Sequence, residues 1–185
     1  MDHGASSYRR YLDGDETAFD QLVTEYYESL VSFLTGYVRE RAVAEDIAMD
    51  AFADLIVHRH RYDFRVSFKT YLCMLGRSRA LNYLKRSKIL AFSPLEDAME
   101  VADPSLVPEE LLLTKERSRV LAEALEVLRP DQREVIQLVY WQGLSCEDAA
   151  KVMRKSRKQV YNLLFRGKNA LRTVLEKKGE TECMI

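Results

Sequence analysis

The chain has 185 residues, room for one large domain or two small ones. It is 47% hydrophobic, too apolar for a disordered chain, and its 7 glycines and 4 prolines are few, which favours an all-α protein over a sheet protein. The net charge of −1 gives no hint of nucleic acid, but it averages unlike parts. Residues 1–87 carry 12 Lys/Arg and 13 Asp/Glu, residues 88–113 one Lys and 6 acids, and residues 114–185 15 basic and 10 acidic residues. An acidic middle and a basic C-terminal third lie under a neutral total.

Several classes of function drop out early. No apolar run approaches the roughly 20 residues that span a bilayer, and the N-terminus has no basic stretch leading into an apolar one. Membrane insertion and secretion are therefore not expected, and the reading is cytoplasmic. Cys73, Cys146 and Cys183 are odd in number and widely spaced, which suits neither a disulfide framework nor a CxxC metal site. His58 and His60 sit two apart, which on a helix points them about 200° apart, so they cannot share an ion. Gly36, Gly76, Gly143 and Gly167 stand alone, without a phosphate-cradling loop, and Cys73 on an apolar helix reads as a small core residue. No enzyme activity, metal or cofactor is expected.

Along the chain, Phe19, Leu22, Val23, Tyr26, Tyr27, Leu30, Val31, Leu34, Tyr37 and Val38 keep the i, i+3, i+4 rule and predict a long first helix. A second begins near Val43, with Ala44, Ile47, Ala48, Ala51, Phe52 and Leu55 on one face and Asp46, Asp50 and Asp54 on the other. A third runs from Phe68 to Arg86 and ends in the basic pair Lys85–Arg86, where a helix dipole favours cations. Pro94, Pro104 and Pro108 fall in the acidic stretch, which reads as an extended, flexible linker over residues 88–112. It divides residues 1–87 from residues 113–185. In the second unit, Pro108 can open a helix whose apolar residues, Leu113, Val120, Leu121, Ala124, Leu125 and Leu128, carry it to Arg129. Pro130 then opens another, which stops at Gly143.

Two short helices with their own start signals follow. Ser145 with Asp148, and Ser156 with Gln159, have capping-box spacing. Two starts eleven residues apart enclose a helix too short to stand alone, so it must pack on the next one through Ala149, Ala150 and Val152 against Val160 and Leu164. Short helix, turn, longer helix is the helix-turn-helix layout. From Lys151 to Arg172 there are eight basic residues and no acid. The candidate face is Lys155, Ser156, Arg157, Lys158, Gln159, Tyr161, Asn162, Arg166 and Lys168: Gln and Asn can bind adenine and Arg guanine, while Lys and Arg elsewhere bind phosphate.

With these residues in place, nearly the whole chain resembles the extracytoplasmic-function (ECF) group of bacterial RNA polymerase sigma factors. The segments A18-F-D-Q-L22, A44-E-D-I-A-M-D-A-F52, S67-F-K-T-Y-L72 and N82-Y-L-K-R86 are similar to that family's first domain. L128-R-P-D-Q-R-E-V-I-Q-L138 and F165-R-G-K-N-A-L-R172 are similar to its last. The resemblance implies two small helical domains: residues 1–87 for polymerase docking and promoter melting, and residues 113–185 for the upstream promoter element. It implies that Asp46, Met49, Asp50, Ala53 and Asp54 dock the large clamp subunit of core RNA polymerase, with the flap as a further contact. It implies that Arg65, Phe68, Lys69 and Tyr71, then Arg77, Ser78, Asn82, Lys85 and Arg86, engage the downstream element and an unstacked base. An anti-sigma factor is implied as a partner beside polymerase and promoter DNA. Tyr71 stands where the family has Trp, and Ser78 where it has Asn. Met49 replaces a Gln, Arg154 a turn Gly, and Leu163 a basic residue. The rival reading is a dimeric helix-turn-helix regulator that binds a palindrome; a helical adaptor that uses its charged faces only for proteins is a third.

Overall fold

The computed structural model describes residues 2–90, 124–125 and 127–177. Helix α1 (His3–Leu12) is followed by α2 (Glu16–Val38), α3 (Arg41–Val57) and α4 (Phe68–Leu90). Then come α5 (Pro130–Ile136), a single π-type turn (Gln137–Trp141), α6 (Cys146–Met153) and α7 (Arg157–Lys177). The sequence-derived linker and the helix expected up to Arg129 lie largely outside the described residues; Ala124 and Leu125 are helical.

Helix α2 starts where Asp15 caps the Ala18 amide and ends with Arg39 in the left-handed region (φ 63°). Its predicted stripe is core: Phe19, Leu22, Leu30, Val31 and Leu34 are buried against α3, α4 and Tyr8. Gly76 of α4 lets that helix approach closely, since a Cβ there would press on Leu30. Helix α1 was not expected. Its N-cap Asp2 accepts from Ala5 and, through its other oxygen, from the Phe68 amide at 2.6 Å, so one carboxylate starts both α1 and α4. Tyr8, fully buried, lies in contact distance of Tyr11, Tyr62, Phe64 and Phe68, and its hydroxyl donates toward Leu55 O and Arg59 O. This aromatic cluster clamps the loop between α3 and α4.

In the second half, Arg129 N–H donates to Gln132, Pro130 occupies the first helical turn, and Gly143 turns the chain at φ +67°. The π turn, closed by Gln142 N–H on Gln137 O, swings both glutamine side chains toward α2. The two halves share one apolar core that joins Leu30, Leu34 and Leu72 to Val135, Leu138, Val152 and Val160. Helix α4 packs on α6, and α2 meets the π turn. Ser29 and the buried Gln142 exchange two hydrogen bonds of 2.7 and 2.8 Å, and Arg77 Nε donates to Glu134 at 2.6 Å. Phe33, outside the predicted stripe, is buried against Tyr37. A smaller cluster of Ala124, Leu171 and Leu175 closes the far end of α7.

Cys73 is buried in α4, and that burial pushes its thiol up to about 12 by disfavouring the thiolate. Between pH 7 and 9 Cys73 therefore stays protonated and unreactive toward iodoacetamide in the native protein, whereas half-exposed Cys146 reacts; in urea both react. Peptide mass spectrometry reads the difference, and equal native labelling of the two would refute the packing of α4.

Candidate nucleic-acid interface

The helix-turn-helix forms from the two start signals. Ser145 Oγ accepts from the Asp148 amide at 3.0 Å and donates to the Asp148 carboxylate at 2.7 Å, so that carboxylate holds the cap serine. At α7 the box is reciprocal: Ser156 N–H donates to Gln159 Oε1 at 2.8 Å and Gln159 N–H to Ser156 Oγ at 3.3 Å. Ala149, Ala150, Val152, Met153 and Val160 are buried between the helices. Arg154 ends α6 at φ 53°, the left-handed conformation that a turn glycine adopts without cost.

These contacts revise the candidate reading face. Ser156 and the Gln159 carbonyl are committed to the cap, which leaves only the Gln159 amide nitrogen for a base. Arg157 lies over the Tyr161 ring (5.5 Å) and reaches its hydroxyl at 3.4 Å, so that cation is pre-positioned. Lys158, Asn162, Arg166 and Lys168 are exposed, with Lys168 over the Tyr140 ring. Lys155, half-buried, borders a shallow hollow of about 270 Å³ with Gln159, Asn162, Leu163 and Arg166. Leu163 is half-buried packing, so its departure from a basic residue removes nothing from the exposed face.

The second candidate face lies on α3. Asp46, Met49, Asp50 and Ala53 are exposed at i, i+3, i+4 and i+7, with Met49 57% open to solvent. Asp54 differs: Arg79 of α4 bonds it at 2.9 Å while its other nitrogen holds Asp50 at 3.1 Å. Asp54 therefore braces α3 on α4, and the outward-facing acids are Asp46 and Asp50.

On α4 and its approach the picture is mixed. Phe68 was expected at DNA and is instead fully buried among Tyr8, Tyr26 and Tyr62, because α1 covers it. Tyr71 is half-buried and stacked on Tyr62 (4.8 Å, 25°), so one of its faces is taken. Arg65 is exposed beside Asp63, Lys69 is half-buried, and Ser78, Asn82, Lys85 and Arg86 are exposed. Arg77 is held by Glu134 of α5, with only 15% and 9% of the two side chains exposed. Glu134 and Gln142, both buried, went unnoticed in the sequence because nothing in their spacing marks them as contacts to the first half. Among the described residues there is no cluster of His, Cys, Asp or Glu that could hold a metal, and no helix long and apolar enough to cross a membrane.

The fold and these faces define a helical protein with an acidic helix face in its first half and a basic helix-turn-helix in its second. Residues 22–89 match Sigma-70 region 2, and residues 118–171 match Sigma-70, region 4. The chain is 30% identical over 165 residues to the ECF RNA polymerase sigma factor SigX of Bacillus subtilis, covering 87% of this chain and 85% of that one. It is 29% identical over 184 residues to the RNA polymerase sigma factor CarQ of Myxococcus xanthus, covering 95% and 98%. Among solved structures, the fold is similar to the sigma factor RpoE bound to the anti-sigma factor NepR from Bartonella quintana (TM-score 0.68, 21% identity, 85% of this chain and 96% of that one). It is also similar to CnrH in complex with the cytosolic domain of CnrY (TM-score 0.65, 21% identity, 94% and 95%). The chain belongs to the ECF group of sigma-70-family RNA polymerase sigma factors.

Arg154 makes a direct test of the turn. Arg154→Gly removes the left-handed penalty of roughly 1 kcal/mol but loosens the unfolded chain by about 0.4–1 kcal/mol, so stability is unchanged or rises by about half a kcal/mol. Urea unfolding measures it, and a loss above about 1 kcal/mol would contradict the observed turn.

Proposed function

We propose that this sigma factor docks core RNA polymerase through the α3 face, reads the upstream promoter element with α7, and engages the downstream element along α4. On this reading residues 1–87 are the docking and melting domain and residues 113–185 the upstream-reading domain, with the acidic residues 88–112 linking them. The carrying observation is the pairing of two opposite faces on one chain: exposed Asp46, Met49, Asp50 and Ala53 on α3, and an exposed row of cations on α7 without an acid among them. The acidic face attracts a basic protein surface, and exposed Met49 gives it an apolar centre. Arg157, Lys158, Arg166 and Lys168 meet phosphates and base edges in the major groove, with Asn162 and the Gln159 amide nitrogen as further readers. Arg65, Lys69, Lys85 and Arg86 provide a basic approach for a single strand, and Ser78 and Asn82 lie between. The similar solved structures hold a bound partner, an anti-sigma factor in the case of RpoE, which supports an anti-sigma factor as a regulator of this chain as well.

Run-off transcription with purified core polymerase and genomic fragments tests the whole reading: new start sites that depend on the protein are expected, and their absence sinks it. Replacing Asp46 and Asp50 together with Lys weakens core binding at least tenfold in a pull-down titration and leaves upstream-duplex binding unchanged; equal loss of both would remove α3 from the docking role. Replacing Arg157 and Lys158 with Ala lowers duplex affinity and flattens the log K against log salt slope by about 1 per lost phosphate contact. An unchanged slope means that these two cations do not touch the backbone.

A further inference from the structure

We infer that the turn His58–Arg61, which closes α3, binds phosphates of the single promoter strand, with Arg59 and Arg61 as its cations. The inference rests on the assignment of Tyr71 and α4 to the downstream element. Residues 56–61 are all exposed, and no acid lies between Leu55 and Tyr62. Among the described residues, neither Arg59 nor Arg61 pairs with a carboxylate. The acids that flank the turn are already matched: Asp54 is held by Arg79 at 2.9 Å, and Asp63 lies 3.3 Å from Arg65. Arg65 thus brings its own counter-ion to the approach, whereas the two arginines of the turn keep their charge available. His58, 3.9 Å from Asp54, and the exposed His60 add ring nitrogens that can donate to phosphate oxygens.

A helix C-terminus attracts cations by itself, so charge alone would describe a solvated helix end. Three hydrogen bonds give this one a fixed shape. The Tyr8 hydroxyl donates to Leu55 O at 3.0 Å and to Arg59 O at 2.9 Å, and the Arg61 N–H donates to His58 O at 2.9 Å. The backbone is tied down while the side chains stay in solvent. Those from Val57 to Arg61 line an open hollow of about 550 Å³, in which exposed Val57 is the one apolar member. Burial raises the Tyr71 hydroxyl above the ordinary phenol range and Arg61 partly offsets that rise, so its guanidinium stands within electrostatic reach of the ring. Tyr71 has one face on Tyr62 and the other to offer. Arg9, over the Phe64 ring, adds a cation on the α1 side. A ring that can stack a base, with free guanidinium groups beside it, holds a single strand without reading its sequence. A duplex keeps its bases stacked and has none to give Tyr71, so the ligand is the opened strand.

The test uses holoenzyme reconstituted from core polymerase and the full-length chain, as wild type, as Arg59→Ala plus Arg61→Ala, and as Arg59→Lys plus Arg61→Lys. Fluorescence anisotropy over a salt series follows a labelled fork, duplex upstream and single-stranded downstream, built on a promoter found by the run-off assay. The Ala pair should bind the fork about fivefold more weakly and flatten the log K against log salt slope by about 1.4, two contacts at roughly 0.7 each on a single strand. The Lys pair should keep the slope, and core binding in a pull-down titration should be the same for all three. An unchanged slope in the Ala pair overturns the inference. A loss of core affinity in that pair also overturns it, since the turn would then meet an acidic protein surface. So does a Lys pair that loses the slope as fully as the Ala pair, because charge is what the phosphates need. Should no promoter fire with core polymerase, the functional reading fails by itself. The full-length chain titrated with labelled oligothymidine then decides the turn, where absent binding or an unchanged slope in the Ala pair overturns it as a phosphate site.

Discussion

Everything in this protein is arranged around a helix that must bury more than one face. The α2 residues Leu22, Leu30, Val31 and Leu34 are shielded by α3, α4 and Tyr8, while Phe33 lies to the side of that stripe, against Tyr37. An amphipathic helix needs one covered side; α2, apolar on more than one, gathers neighbours until its exposed apolar area is gone. Helix α3 is thereby held with its acids outward. Helix α4 is seated by Gly76 against Leu30, which aims Ser78, Asn82, Lys85 and Arg86 away from the core. Both candidate faces of the first half are thus by-products of how α2 is covered.

The aromatic cluster under α1 adds a second constraint. The loop between α3 and α4 must keep its shape without help from regular secondary structure. Here Tyr62 donates to Val66 O at 2.7 Å, Phe64 sits at φ 61° with Arg9 over its ring, and Tyr8 spans to the carbonyls at the end of α3. Burial explains why the Tyr8 and Tyr62 hydroxyls are pushed above the ordinary phenol range and stay neutral donors. The phenylalanine assigned to DNA by resemblance, Phe68, is better understood as the floor of this cluster.

The seam between the halves sets a few buried polar pairs beside the apolar core that the halves share. Arg77 keeps its charge despite burial, which alone would lower its pKa, because the Glu134 carboxylate raises it. Removal of one partner from such a buried pair typically costs about 3–5 kcal/mol, yet replacing both with apolar groups is often neutral. The pair therefore specifies how the halves meet more than it stabilises them.

Local rules carried most of the element assignments. The 3.6-residue period of α2 and α3, the serine starts of α6 and α7, Pro130 at the opening of α5 and Gly143 after it are properties of a few neighbouring residues, and each is where the sequence places it. The charge contrast between α3 and α7 was equally readable, since exposed ions follow from composition on a face. Helix α1 was not, although Asp2, Tyr8, Tyr11 and Leu12 have the spacing of a capped amphipathic turn, because most of its stability comes from rings supplied by residues 19–68. The π turn was invisible too, as its extra residue is justified only by Ser29 and Gly36 more than a hundred positions earlier. Which candidate residues stand free was decided by tertiary contacts alone. Asp54 is taken by Arg79, Arg77 by Glu134, Phe68 by Tyr8, and the Gln159 carbonyl by its own cap, and the first three depend on partners that no local pattern could name. Sequence determines what each helix can offer, because that is local; the fold determines which offers remain open, because pairing across helices is not.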